Sequence, residues 1–163
     1  MNVRTRSAMT LRNLVRLFMQ RTADFLQHDL QLIKRLQPVG QIARVDEVAL
    51  KDVVAVVKLA GGLPATIILS FDDSLAQEIV RGYLPDGTPD KELESLFNDT
   101  MAEVANVIVA NSIMKFPREF DQVTVSLPKA VRHENVKLRN MGDDLWTAEA
   151  TTSHGNFNIS LQV

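Results

Sequence analysis

The chain has 163 residues, the length of one ordinary domain, and its 45% hydrophobic content is enough to fill a core. Eighteen basic and 20 acidic residues leave a formal charge of −2, so the charge balance gives no reason to expect a broad nucleic-acid surface. Cysteine is absent and the three histidines, His28, His133 and His154, lie far apart, which excludes disulfides, thiolate sites and a cysteine nucleophile and argues against a histidine-rich metal cluster.

The chain opens with Arg4, Arg6, Arg12, Arg16 and Arg21 before its first acid, Asp24, a bias shared with transit peptides. The helical pattern runs on past Asp24, so these arginines read as a solvated helix face. Residues 1–9 are expected to be a flexible or edge segment. Residues 10–36 predict a long amphipathic helix, with Leu11, Val15, Phe18, Thr22, Phe25, Leu26, Leu30 and Ile33 at three-to-four spacing. Pro38 and Gly40 end it.

Strands follow. Gln41–Val48 alternates, Asp52–Leu59 is rich in valine, and Ala65–Phe71 is nearly all apolar; Gly61-Gly62 marks the turn between the last two. Asp72, Asp73 and Ser74 supply short acceptor side chains that suit a helix start, and a helix through Leu84 is expected. The segment PDGTP breaks the chain, and a second helix is predicted from Lys91 to Met114, stopping before Pro117. The remainder predicts strands at Gln122–Leu127, Val136–Arg139, Leu145–Thr152 and Asn156–Val163, with Gly142 and Gly155 at turns. Strands grouped on each side of paired helices imply an α+β fold over residues 1–163, a mostly antiparallel sheet with long helices on one face. No stretch approaches the ~20 apolar residues of a membrane span, and the expected compartment is the cytoplasm.

The helix around residues 98–116 holds the candidate chemistry. At 100° per residue, Glu103 and Asn106 lie about 60° apart on neighbouring turns, and Asp99 and Ala110 fall in the same narrow stripe. Most other positions, such as Met101, Val104, Ala105, Ile108 and Val109, are apolar, so the helix must be largely buried with one polar stripe open. Glu-x-x-Asn is common, and alone it reads as an ordinary solvated stripe.

Its surroundings add to it. The segment AEVANVIVAN resembles the E-x-x-N helix of the CheC/CheX/FliY chemotaxis phosphatases. In that family a hairpin, a strand ending in Ser-Phe and a short helix precede it; here VVKLAGGLPATIILSF and DDSLAQEIVRGYL stand in that order. The resemblance covers about residues 50–128, ending in QVTVSLP. There is a single Glu-x-x-Asn, which fits the CheX-like, single-site type. Where the family often has glycine one turn after the asparagine, this chain has Ala110.

The resemblance implies a phosphatase acting on the phosphoaspartate of a CheY-like response regulator. Asn106 would orient the attacking water and Glu103 would dock on the regulator's active-site lysine. Asp99 and Ala110 would line the partner-binding stripe, although Asp99 also reads as an ordinary helix-start acid. No cofactor bound by this chain is implied; Mg2+ is expected in the partner. The family also implies a homodimer. A non-catalytic adaptor in chemotaxis or flagellar-switch signalling is the alternative.

Other features read as structural. Trp146 suits a core or dimer-interface position. His133, Glu134 and Asn135 form a polar loop without ligand spacing. Met9, Met19, Met101, Met114 and Met141 are expected to fill gaps in the core.

Overall fold

The structure, a computed structural model, describes residues 8–34, 41–120, 122–141 and 144–163. Helix α1 spans Ala8–Asp24 and runs into a π turn, Phe25–Asp29, closed by Leu30 N–H donating to Phe25 O at 3.0 Å. Gln31 then takes a left-handed conformation at φ 54°. The helix therefore stops well short of residue 36, before the first proline, because the π turn and the positive φ redirect the chain. Residues 1–7, the breakers Pro38 and Gly40, and the turn at Gly142 lie outside the described residues.

The expected strand at 41–48 is two short strands in different sheets, β1 (Ala43–Arg44) and β2 (Glu47–Ala49). The long strands β3 (Val53–Ala60) and β4 (Ala65–Phe71) form an antiparallel hairpin, pairing Val53 with Phe71 through Leu59 with Ala65. Gly61 turns it at φ 83°, and a Cβ there would collide with the Gln122 carbonyl oxygen. Helix α2 covers Asp73–Tyr83. Its first N–H is capped from a distant segment: Asp52 Oδ2 accepts from Asp73 N at 2.9 Å. The neighbouring Asp72 instead accepts from Asn156 N at 2.7 Å, so the expected local cap is not made.

The second expected helix is two, α3 (Asp90–Ser95) and α4 (Phe97–Ile113), joined at Leu96. After it come a short 3₁₀ turn, Arg118–Phe120, and β5, which is only Thr124–Val125. The sequence reading passed over β6 (Lys129–Arg132), which pairs with β3 from Val53–Arg132 to Val56–Lys129. Strands β7 (Lys137–Arg139), β8 (Leu145–Thr152) and β9 (Gly155–Gln162) follow, close to the predicted bounds.

The main sheet is antiparallel in the order β1-β8-β9-β4-β3, with β5 and β6 sharing the far edge of β3. Alternation decides its two faces. Val53, Ala55 and Val57, Ile67, Leu69 and Phe71, Phe157, Ile159 and Leu161, and Ala148 and Ala150 all enter one core. There they meet Leu14, Phe18 and Leu26 from α1 and its π turn, Ile79 from α2 and Met101, Val104 and Ile108 from α4. Each of the larger side chains contributes roughly 1.5–3 kcal/mol through burial. Trp146 joins this core at 7% exposure, as expected.

The opposite face is polar at its centre. Thr147, Asn158 and Ser160 form a closed hydrogen-bonded group, with Asn158 Nδ2 donating to Thr147 Oγ1 at 2.7 Å and Ser160 Oγ to Asn158 Oδ1 at 2.8 Å. Strands β2 and β7 pair with each other where the chain crosses between the β1 and β3 sides of the sheet. Lys51 beside this crossing reaches Glu149 of β8 at 2.6 Å. Glu149 alternates with core-facing Ala148 and Ala150, so the crossing runs over the face away from the helices.

Candidate functional site

Helix α4 is shaped by burial. Met101, Val104, Ala105, Ile108 and Val109 are at most 1% exposed, and they press the helix against α1, α2 and the sheet. The side of the helix left open carries the stripe of Asp99, Glu103, Asn106 and Ala110, in which Asn106 is half-buried and the other three are exposed. The structure thus brings all four residues together as the spacing predicted. Asp99 also lies in the first turn of α4, where its charge suits the helix dipole. Among the described residues neither the Glu103 nor the Asn106 side chain has a hydrogen-bond or ion-pair partner, so both are available to a second molecule.

The base of α4 is pinned from outside. The Arg132 guanidinium of β6 lies 3.5 Å from the centre of the Phe97 ring, and it bonds Asp73 of α2 at 3.2 Å and Glu94 of α3 at 2.6 Å. One cation therefore ties together the sheet edge and three helices at the Leu96 junction.

Tyr83 ends α2, and its ring centre is 6.3 Å from that of Phe25 in the π turn. Partial burial, and then the negative charge of Glu103, push the Tyr83 phenol above its ordinary value of 10.0. Past Phe25, a groove between the π turn and the end of α4 is lined by His28, Ile108, Asn111 and Met114 among others. Met114 is 84% exposed and Met141 86%, whereas Met19 and Met101 are buried; the first two are surface residues, contrary to the gap-filling role expected for all of them. Met114 stands outside because it follows the last full turn of α4, on the side of Ala110. Tyr83 and Arg132 were missed by sequence reading. A lone tyrosine closing a helix was a faint signal for the first, and nothing local marked the second.

Among the described residues no group of three or more metal-ligating side chains comes together, and no helix is long and apolar enough to cross a membrane. The stripe can present a carboxylate, a neutral amide and a small flat surface to a partner.

The comparisons with known proteins agree with this architecture. The family model for the chemotaxis phosphatase CheX matches residues 53–147. No curated protein matches the chain. Among solved structures, a chemotaxis protein CheX from Desulfovibrio desulfuricans superposes with a TM-score of 0.74 at 18% identity, covering 91% of this chain and 97% of that one. A CheC-like superfamily protein from a Shewanella species gives 0.72 at 14% identity, covering 99% and 97%. CheX of Borrelia burgdorferi, solved in complex with CheY, beryllofluoride and magnesium, gives 0.68 at 21% identity, covering 92% and 98%. With the family model spanning more than half its length, this chain belongs to the CheX family of chemotaxis phosphatases.

Proposed function

We propose that the protein hydrolyses the phosphoaspartate of a CheY-like response regulator, using Asn106 and Glu103. The observation that carries this reading is the pair itself: a carboxylate and an amide, side by side and, among the described residues, unpartnered, on an open stripe of a largely buried helix. An acyl phosphate is already activated, so its hydrolysis needs little beyond a water held in line with the leaving carboxylate. The Asn106 amide cannot take a proton, but its carbonyl and NH₂ groups can hold that water. Attack at phosphorus breaks the bond to the aspartyl oxygen, restores the regulator's carboxylate and releases inorganic phosphate. Glu103 supplies register by pairing with the lysine of the regulator's active site. The magnesium ion belongs in the regulator's own acidic pocket. Asp99 adds negative charge along the approach, and Ala110 keeps the stripe low enough for a close fit.

The Borrelia CheX structure, in which a relative of the same fold is bound to CheY, supports the choice of partner. The protein acts in the cytoplasm, where response regulators are found, and as a homodimer. Apolar side chains left open along the β5–β6 edge, Leu127 at 89% and Val131 at 53% exposure, support the dimer.

The test is phosphate release from phosphorylated CheY-like regulators of the same organism. Asn106→Ala is expected to lower the accelerated rate by about 100-fold or more with an unchanged circular dichroism spectrum. Glu103→Ala is expected to act mainly on KM. Unaltered acceleration by Asn106→Ala would rule out this mechanism. No acceleration by the wild type with any regulator would favour a non-catalytic adaptor on the same fold.

A further inference from the structure

The open side of α4 does not end at Ala110. Met114 keeps helical backbone angles, φ −58° and ψ −19°. At 100° per residue it therefore lies about 40° from Ala110 and about 20° from Glu103 around the helix. Its side chain is 84% exposed, a large apolar group left in water at the end of the stripe. Beside it runs the groove between α4 and the π turn, with a volume of about 590 Å³. Two of the groove's lining residues, Phe25 and Ile108, are buried and give it an apolar floor. Three others, His28, Asp29 and Lys115, are exposed and give it a polar rim. The π turn accounts for half of this shape, because within its five residues it buries Phe25 and leaves His28 and Asp29 outside.

An apolar floor within a polar rim is the anatomy of a protein interface. Distance names the occupant. Met114 follows Asn106 by only two turns of helix, about 12 Å at 1.5 Å per residue. A specific complex covers about 800 Å² on each partner, a disc of roughly 16 Å radius. A regulator seated so that Asn106 reaches its phosphoaspartate covers Met114 and the mouth of the groove as well. We propose that Met114 and this groove form a second contact for the same regulator, taking up an apolar side chain of its surface and setting affinity and choice of regulator, not turnover. This deepens the phosphatase reading and rests on it. Methionine suits the task, because its unbranched thioether adapts to apolar partners of different shape. Asp29 and Lys115 have no ion-pair partner among the described residues, so the rim can meet charges of either sign around the entering side chain.

The experiment compares Met114→Ala, Met114→Glu, Asn111→Trp and Met141→Ala. KM and kcat are measured on the phosphorylated regulator, binding is measured with a regulator loaded with beryllofluoride and magnesium, and the mass of each variant is measured by sedimentation. Asn111 is exposed on the wall of the groove, so a tryptophan there fills the space without entering the core. Met141, 86% exposed and outside the groove, is the control. Met114→Ala is expected to raise KM and the dissociation constant roughly fivefold, with kcat within about twofold because Asn106 and Glu103 are untouched. Met114→Glu and Asn111→Trp are expected to raise both by roughly tenfold or more, the first by burying an unpaired charge and the second by overfilling the groove. Met141→Ala is expected to match the wild type, and the mass of every variant is expected to be unchanged.

The contact is overturned if Met114→Ala or Asn111→Trp keeps wild-type KM and binding, if either lowers kcat with KM unchanged, or if Met141→Ala weakens binding as much as Met114→Ala. A changed mass for Met114→Glu would give the groove to a second copy of this chain and overturns the proposal too. The phosphatase reading fails separately, if the wild type accelerates nothing or Asn106→Ala is fully active. Binding of the beryllofluoride-loaded regulator then decides the contact alone, and wild-type protein that does not bind overturns it as well.

Discussion

Tyr83 is the only tyrosine of the chain, so its ionisation can be followed by ultraviolet absorbance without interference from another phenol. Its pKa is raised by partial burial first and by the Glu103 carboxylate second. A raised folded value means that the folded protein holds the phenol proton more tightly than the unfolded chain does. The associated stability is complete below about pH 10 and is lost as pH rises through the folded value. The titration midpoint is expected above 10.0, and Glu103→Gln is expected to lower it. A midpoint that does not move on neutralising Glu103 would show that the two groups do not sense each other. At this scale the Glu103–Asn106 pair was legible, because a helix turns its side chains through a fixed angle and four positions of one stripe follow from counting. Tyr83 was not legible: Phe25, whose ring it meets, is 58 residues away in the π turn, and only packing unites them.

Helix α4 shows what an element inherits from others. The apolar run at 101–109 announced a buried helix, and the structure buries it. The break at Leu96 was hidden, because the backbone bonds Leu96 N to Glu92 O and Thr100 N to Leu96 O carry the chain through the junction with no proline or glycine to mark it. The junction is held by Arg132, whose ring contact and two carboxylates come from three separate helices. Its side chain is 33% exposed, so the ion pairs are partly screened and the ring contact adds to them. Arg132→Ala is expected to cost about 1–2 kcal/mol, read as a fall of roughly 3–6 °C in Tm. Arg132→Lys should recover only part of this, because an ammonium lacks the planar fork that meets two carboxylates above a ring. Equal Tm values for wild type and Arg132→Ala would remove the clamp from the account. Strand β6, which carries Arg132, escaped the sequence reading because it is a four-residue strand without clean alternation, stabilised by the free edge of β3.

For the whole molecule, the proposed homodimer, with the open apolar side chains of the β5–β6 edge in its seam, predicts that sedimentation equilibrium gives twice the chain's mass. A mass equal to one chain at micromolar concentration would exclude it. The sequence by itself determined the α+β class, the long strands β3, β4, β8 and β9, the helix that bears Glu103 and Asn106, and the family. Each of these rests on a period or motif contained in a short stretch of chain. Only the tertiary structure decided that residues 41–48 divide between two sheets, that Asp52 caps α2, that Arg132 anchors the base of α4 and that Tyr83 meets Phe25. The physical reason is common to all four. Their energies come from partners brought together by burial of the shared core, and such partners leave no local period to read.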